Sequence, residues 1–311
     1  MSSTQAAPGQ GHEPEGWARP RRALLVAQPR HREQPSGLSA AIAALEAGGV
    51  ELVQETCHAA TDLSPLILRH APVVDLVVLC GGDGTMNAAA RGLIGSRLPF
   101  GILPLGTAND LARTLGIPPD VATAAQVILD GHQRRIDLGE VNGHPFFNVA
   151  SVGVSVAVAR ELTGDLKKRW GRLAYLIASL RVLPRARPFH AEITCDGELH
   201  RVRTLQVAVG NGRYYGGGMA VEEAAEPDDG VLHLYSLEFP SAWWLAPLLP
   251  ALRAGRHGRW RQVRTASCRE AEIRTRRPRS VNADGEIVSH TPARLRVLRH
   301  AVSVLAPRPG G

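Results

Sequence analysis

The chain has 311 residues, 44% of them hydrophobic, and 36 basic against 29 acidic side chains give it a formal charge of +7. That length and apolar content allow a sizeable core in two domains and exclude a wholly disordered or fibrous chain. The basic balance suits anionic partners. No DNA- or RNA-binding motif accompanies the arginine-rich stretches at residues 167–172, 253–264 and 274–279, so they read as sites for phospholipid headgroups or as a plain solvated basic surface, with nucleic acid a minor alternative.

In chain order, residues 1–20 are rich in Gly, Pro, Ser and Gln without an apolar run, which reads as a disordered tail and not as a signal peptide. Residues 21–137 read as an α/β doubly wound domain. Strands are expected at residues 23–28 and 51–55, with helices at 39–47 and 62–70, and further strands begin at Leu76 and Phe100, each followed by a helix. Beyond Asp137 the pattern changes to short alternating runs at residues 191–195, 205–209 and 232–235. Residues 138–292 therefore read as a mostly antiparallel β domain, interrupted by one helical stretch around 173–183. Residues 293–311 form a terminal segment with strands in 295–305. The apolar run WWLAPLLPAL at 243–252 is too short to span a bilayer and is broken by Pro247 and Pro250, so membrane contact would be peripheral. Cys57, Cys80, Cys195 and Cys268 are scattered, which suggests a reduced cytoplasmic protein and neither a zinc site nor a disulfide frame.

The chemistry concentrates in two turns. The strand at 76–80 runs into Gly81-Gly82-Asp83-Gly84-Thr85, and the strand from Phe100 runs into Pro104-Leu105-Gly106-Thr107-Ala108-Asn109-Asp110 before a helix carrying Leu111, Leu115 and Ile117. Gly81, Gly82 and Gly84 leave no Cβ in the way and permit positive φ, so a phosphate chain can approach the peptide N–H groups at the helix start. Asp83 would repel a bare phosphate, and makes sense if it orients Mg²⁺, water or a hydroxyl. Successive βα turns of a parallel sheet both open at its carboxyl edge, where α/β folds place ligands.

GGDGT followed by PLGTANDLAR resembles the catalytic domain of the diacylglycerol kinase family, which includes bacterial lipid kinases, sphingosine kinases and ceramide kinases. The resemblance continues through IDLG at 136–139, FFNVASVG at 146–153, NGRYYGGGM at 211–219, DDG at 228–230 and ADGE at 283–286. It implies an NAD kinase/phosphofructokinase-like first domain, a β-rich second domain, a chain end returning to the first, and an active site in the cleft between them. It also implies an ATP- and Mg²⁺-dependent kinase of phospholipid metabolism that phosphorylates a lipid hydroxyl at a membrane surface. Diacylglycerol is the default acceptor, with sphingoid bases or ceramide behind it, and a homodimer is allowed.

Carried over residue by residue, Gly82, Asp83, Gly84, Thr85 and Asn87, with Thr56 and Thr107, would bind ATP, alongside Gly81, Gly106 and Asn109 of the same turns. For Thr56 a strand-end cap competes. Glu286 would be the proton acceptor, and Asp284 would join Asp83, Asp110 and Asp137 in a metal-binding network. Alternate residues of an extended segment share a side, so Asp284 and Glu286 could face one site; an Asp-Gly hairpin with an exposed glutamate is the alternative. Asp229, with the carbonyls of Glu226 and Val231, would hold a second Mg²⁺, or the segment is a plain turn stabilised by Asp228. Trp243, Trp244, Leu245, Leu248 and Leu249 suit either core packing or an interfacial element.

Two departures stand out. The first strand ends in Gln28-Pro29 and reaches Ser36-Gly37 only after a basic segment, and Glu222-Glu223 stand where the family commonly has a proline. A soluble-substrate kinase acting on NAD and a non-catalytic lipid- or nucleotide-binding protein are the rival readings.

Overall fold

The computed structural model describes residues 22–29, 37–161, 178, 181–216, 218–220 and 225–308. The expected tail, the basic stretch at 167–172, most of the helix around 173–183, Ser36, and Glu222 with Glu223 lie outside the described residues.

The first part alternates strands and helices: β1 (Arg22–Ala27), α1 (Leu38–Ala47), β2 (Glu51–Thr56), α2 (Ala60–His70), β3 (Leu76–Gly81), α3 (Asp83–Ser96), β4 (Phe100–Pro104), α4 (Asp110–Thr114) and α5 (Val121–Asp130). β1 and β3 are near-continuous apolar runs, as strands covered on both faces by helices must be. They lie in the parallel order β2-β1-β3-β4. The order reverses between β1 and β3, which opens a crevice at the carboxyl ends of those strands.

The helix expected to run through Leu115 and Ile117 stops at Thr114. Gly116 adopts φ 70° and Ile117 N–H folds back onto the Ala112 carbonyl at 2.9 Å, a left-handed stop that glycine accepts without strain. A new helix, α5, then begins at its own cap, where the Asp120 carboxylate accepts Thr123 N–H at 2.8 Å.

The second part is antiparallel: β5 (Gln133–Val141), β6 (His144–Phe146), β7 (Val149–Gly153), helix α6 (Val154–Glu161), β8 (Phe189–Cys195), β9 (Glu198–Thr204), β10 (Gln206–Gly210), β11 (Tyr214–Tyr215), β12 (Met219–Ala220) and β13 (Leu232–Leu237). Helix α7 (Leu245–Arg253) and strands β14 (Val263–Cys268), β15 (Glu270–Thr275), β16 (Ser280–Ala283), β17 (Glu286–His290) and β18 (Ala293–Leu305) follow. One sheet runs β14-β13-β10-β7-β16-β17. Its strands pack through Val152, Val207, Val209 and Leu234 against Ile193, Ile273 and Leu295 of the facing sheet, forming a sandwich core. The opposite face of β10 and β13, carrying Ala208, Tyr235 and Leu237, is covered by Leu248 and Leu252 of α7.

β18 ties the two parts together. Its start, at Ala293 and Leu295, belongs to the sandwich core, while Val302, Val304 and Leu305 complete the core of the parallel sheet. It pairs with β15 and β5, and Val304 reaches Phe100 of β4. A register break between Leu298 and Val302, with His300 at φ 48°, bends the strand between the two cores.

Candidate active site

The two glycine turns meet backbone to backbone. Leu105 N–H donates to the Gly81 carbonyl at 3.1 Å, and a Cβ on Gly82 would come within 2.8 Å of the Gly106 Cα. A Cβ on Gly106 would collide with Gly82 in turn. Asn109, at φ 52°, closes its own loop by accepting Gly106 N–H and donating to the Gly106 carbonyl, both at 3.0 Å. Asp83 bridges the turns: its Oδ1 accepts Leu111 N–H at 3.1 Å, satisfying a donor that the start of α4 would otherwise leave open.

This corrects the reason expected for the glycines. None of Gly81, Gly82 and Gly84 has positive φ, Gly82 lying at −111°. Gly81 is small because the Thr85 hydroxyl fills the space, and Gly82 because Gly106 does. Gly84 differs from both. It is exposed, and a Cβ there would meet nothing within 4 Å, so packing gives no reason for glycine at this position. Its bare face lies at the start of α3, which carries no side-chain cap, and a ligand could come close to the peptide groups there.

Thr85 is buried, Asn87 half-buried on α3, and Thr107 exposed in the second turn. Thr56 ends β2, half-buried and paired with Ala27 of β1. A cavity of about 20 Å³ lies between the end of β1 and the first turn, lined by Gln28, Cys57, Gly84 and Thr85 among others. Asp110 is buried at the start of α4, 3.7 Å from the Arg113 guanidinium one turn on. That guanidinium fills the space a Cβ on Gly218 would need and lies 5.7 Å from the Tyr214 ring centroid, so the loop after β10 closes over α4.

Asp284 and Gly285 form a two-residue hairpin loop between β16 and β17, with φ 46° and 94° and Ala283 paired with Glu286. The expected extended geometry is therefore wrong. Positive φ at both residues makes a tight turn, which ends the alternation on which a shared side depends. The turn nonetheless carries Asp284 inward. Its carboxylate accepts Phe147 N–H at 2.7 Å and the N–H groups of Asn148 and Val149 at 3.0 Å each. Burial pushes the Asp284 carboxyl up to about 6, the three N–H donors hold it back, and the nearby charge of Asp83 adds to the rise. Glu286 is exposed beside the turn.

Asp137 works differently. It is 1% exposed, and its two oxygens accept His300 N–H at 2.6 Å and Gly230 N–H at 2.8 Å. It clamps the bend of β18 to the loop before β13. Asn211 links this clamp to the Asp284 side by donating to the carbonyls of Asp137 (2.8 Å) and Phe147 (3.3 Å).

In the loop at 226–231, where Asp229 with the carbonyls of Glu226 and Val231 was expected to hold a second Mg²⁺, the Asp229 carboxylate accepts the N–H groups of those two residues at 3.2 and 3.0 Å and contacts His233 Nε2 at 2.8 Å. Burial raises the Asp229 carboxyl, but the His233 hydrogen bond and the two N–H groups outweigh it and leave the group below its ordinary value. Asp228 is not the turn's stabiliser. It receives Arg134 through Nε (2.8 Å) and Nη2 (2.6 Å), and the same Nη2 reaches Glu226 at 2.9 Å. Within the loop, the Arg134 guanidinium thus balances Asp228 and Glu226, while His233 holds Asp229.

The structure therefore brings Gly82, Asp83, Gly106, Asn109 and Asp284 together and puts Asp137 and Asp229 in a separate, supporting network. The residues that sequence reasoning left without a role are the N–H groups of Phe147, Asn148 and Val149, and Asn211. All four lie in the FFNVASVG and NGRYYGGGM blocks, whose presence was the signal.

Residues 23–141 match the family model of the diacylglycerol kinase catalytic domain, and residues 148–306 match that of the YegS C-terminal NAD kinase beta sandwich-like domain. The chain is 34% identical over 280 residues to a diacylglycerol kinase of Mycobacterium tuberculosis, spanning 87% of this chain and 89% of that one. A diacylglycerol kinase of Bacillus subtilis is 31% identical over 238 residues, spanning 75% and 78%. The crystal structure of a diacylglycerol kinase from Bacillus anthracis superimposes with a TM-score of 0.79 at 25% identity, covering 94% of this chain and 99% of the other. A second structure from that organism reaches 0.83 at 25% identity, covering 95% and 98%.

Proposed function

Because the chain belongs to the diacylglycerol kinase catalytic-domain family and is a lipid kinase that phosphorylates an alcohol, we propose that its acceptor is diacylglycerol and its donor Mg²⁺-bound ATP. Residues 21–137 form the nucleotide-binding part, 138–292 the acceptor part, and 293–311 the returning segment. The observation that carries this reading is the convergence on one spot of the two interlocked glycine turns, Asp83 between them, and Asp284.

The bare face of Gly84 at the start of α3 takes the phosphates on its N–H groups, with Gly81, Gly82, Thr85 and Asn87 shaping that turn and Gly106, Thr107 and Asn109 the one beside it. Thr56 and the crevice near Gln28 take the adenosine side. Asp83 and Asp284 supply hard oxygens, and the mutual repulsion that helps hold Asp284 partly protonated near neutrality is what a divalent cation relieves. Bound there, with Asp110 close behind on α4, Mg²⁺ supplies charge neutralisation for the transferring phosphoryl group. Glu286, exposed beside the Asp284 turn, accepts the proton of the lipid hydroxyl as the hydroxyl oxygen bonds to the γ-phosphorus and the bond from that phosphorus to the bridging oxygen breaks, releasing ADP. Among the described residues no helix is long and apolar enough to cross a membrane, in keeping with peripheral work at the bilayer surface from the cytoplasm.

The test is transfer of radiolabelled γ-phosphate to micelles of diacylglycerol, monoacylglycerol, sphingosine and ceramide, with NAD as a soluble control and Glu286→Gln as the blank. Label in diacylglycerol, lost in the variant, is expected. Label in another lipid replaces the acceptor, and label in NAD alone overturns the lipid reading.

A further inference from the structure

One corner of the sandwich exposes what a core normally hides. α7 is anchored from one side by Leu248 and Leu252, which are 0% and 6% exposed. The 3₁₀ turn just before it, Ala242–Trp244, holds two tryptophans outward, Trp243 at 62% and Trp244 at 50% exposure. Trp244 is not loose. It stacks on the buried Phe239 ring at 6.3 Å and 16°, so one indole face is fixed by the core while the other meets solvent. The remaining large apolar side chains exposed among the described residues, Leu68, Val73, Leu199 and Ile287, are aliphatic and lie apart in sequence.

The surroundings are cationic. Residues 239–262 hold four arginines and no carboxylate. A second 3₁₀ turn, Leu183–Arg185, packs against the tryptophan turn and brings exposed Arg185 and Arg187 to the same corner. Those two arginines also line a cavity of about 740 Å³ together with Arg160, Arg181 and Arg279, against one carboxylate, Glu161, so positive potential continues beyond the corner. Arg264, by contrast, is neutralised by Glu238 at 2.8 Å. Indole rings beside exposed guanidinium groups match the boundary between headgroups and acyl chains of an anionic bilayer, where an amphipathic ring finds both of its solvents.

We propose that this corner seats the enzyme on membranes carrying anionic phospholipid, Trp243 and Trp244 entering the boundary and Arg185 and Arg187 meeting the phosphates. The inference rests on the lipid-kinase reading only for its purpose, since vesicle binding can be measured without turnover.

The experiment is sedimentation of the full chain with vesicles of phosphatidylcholine alone and with added phosphatidylglycerol, at low and high salt. Trp243→Ser is the principal variant because that side chain carries no core contact, and Trp243→Ala/Trp244→Ala and Arg185→Gln/Arg187→Gln accompany it. Wild type should bind the anionic vesicles and release them in salt, and the double tryptophan variant should lose roughly tenfold or more in affinity. Arg185→Gln/Arg187→Gln should flatten the salt dependence, and phosphorylation of a dispersed short-chain diacylglycerol should stay unchanged in every variant. Wild-type affinity in both tryptophan variants would overturn the proposal, as would wild-type binding that ignores vesicle charge. Vesicle binding lost in the variants while no lipid is phosphorylated by the wild type would leave the docking face standing and remove the acceptor reading.

Discussion

Asp284 and Asp137 are both aspartates whose carboxylates collect backbone N–H groups, three in one case and two in the other, but the segments they join and the charges around them differ. Asp137 is sealed, with each oxygen committed to a different segment, so it holds β18 and the loop before β13 in place. Asp284 takes its three donors from one segment, residues 147–149, and burial, with a smaller contribution from the charge of Asp83, raises its carboxyl to about 6. A carboxyl raised by burial beside a second negative charge is poised to take a cation. The sequence reading grouped Asp83, Asp110, Asp137 and Asp284 as one metal network; the contrast divides them.

Substitutions would break that division if it is wrong. The largest effect should come from Asp83→Ala and Asp284→Asn, each lowering turnover roughly thousandfold with the fold retained, as steady-state kinetics beside circular dichroism would report. Near-normal rates in both would move the reacting centre elsewhere. Asp137→Ala should instead cost about 3 kcal/mol of stability, because two buried N–H donors lose their acceptor, with turnover per folded molecule within a few-fold of wild type. Urea unfolding separates the outcomes, and loss of turnover at unchanged stability would return Asp137 to the chemistry.

The smallest effect sharpens the comparison through pH. The folded-state value of Asp284, about 6, lies above its ordinary 3.8, so the native state binds more protons than the unfolded one between those values and stability falls as pH rises through that window. The penalty, about 3 kcal/mol for a rise of this size, is absent well below the window and complete above it. Melting curves of wild type against Asp284→Asn should diverge in the variant's favour on going from pH 4 to pH 6.5. A difference that stays flat with pH would mean the carboxyl is not raised.

Much of the architecture was legible locally. β1 to β4 fall within a residue or two of their expected places, because buried parallel strands are unbroken apolar runs and each is punctuated by glycine, proline or a polar turn. The position of the site was legible too, in the two glycine turns. What escaped was the reason for individual residues. Gly82 owes its identity to Gly106, Asp83 to Leu111 and Asp284 to Phe147, pairings that join distant parts of the chain and leave no periodicity behind. The Asp-Gly pair at 284–285 was read as extended or as a hairpin, and only the fold shows that it is a hairpin whose aspartate points inward. The sequence reading assigned no element to residues 154–161; Val154, Val156 and Val158 alternate there as in a strand, yet the segment folds as helix α6.

The bend of β18 at His300 also governs the order in which the molecule can be finished on the ribosome. The parallel sheet is built from segments made early, yet Val302, Val304 and Leu305, which complete its core, are among the last described residues to emerge. Until they arrive, β4 and β5 each lack one of their two neighbouring strands, so the nucleotide-side half must wait, incomplete, while the sandwich is synthesised. A stalled or clipped chain would therefore lose the half that was translated first.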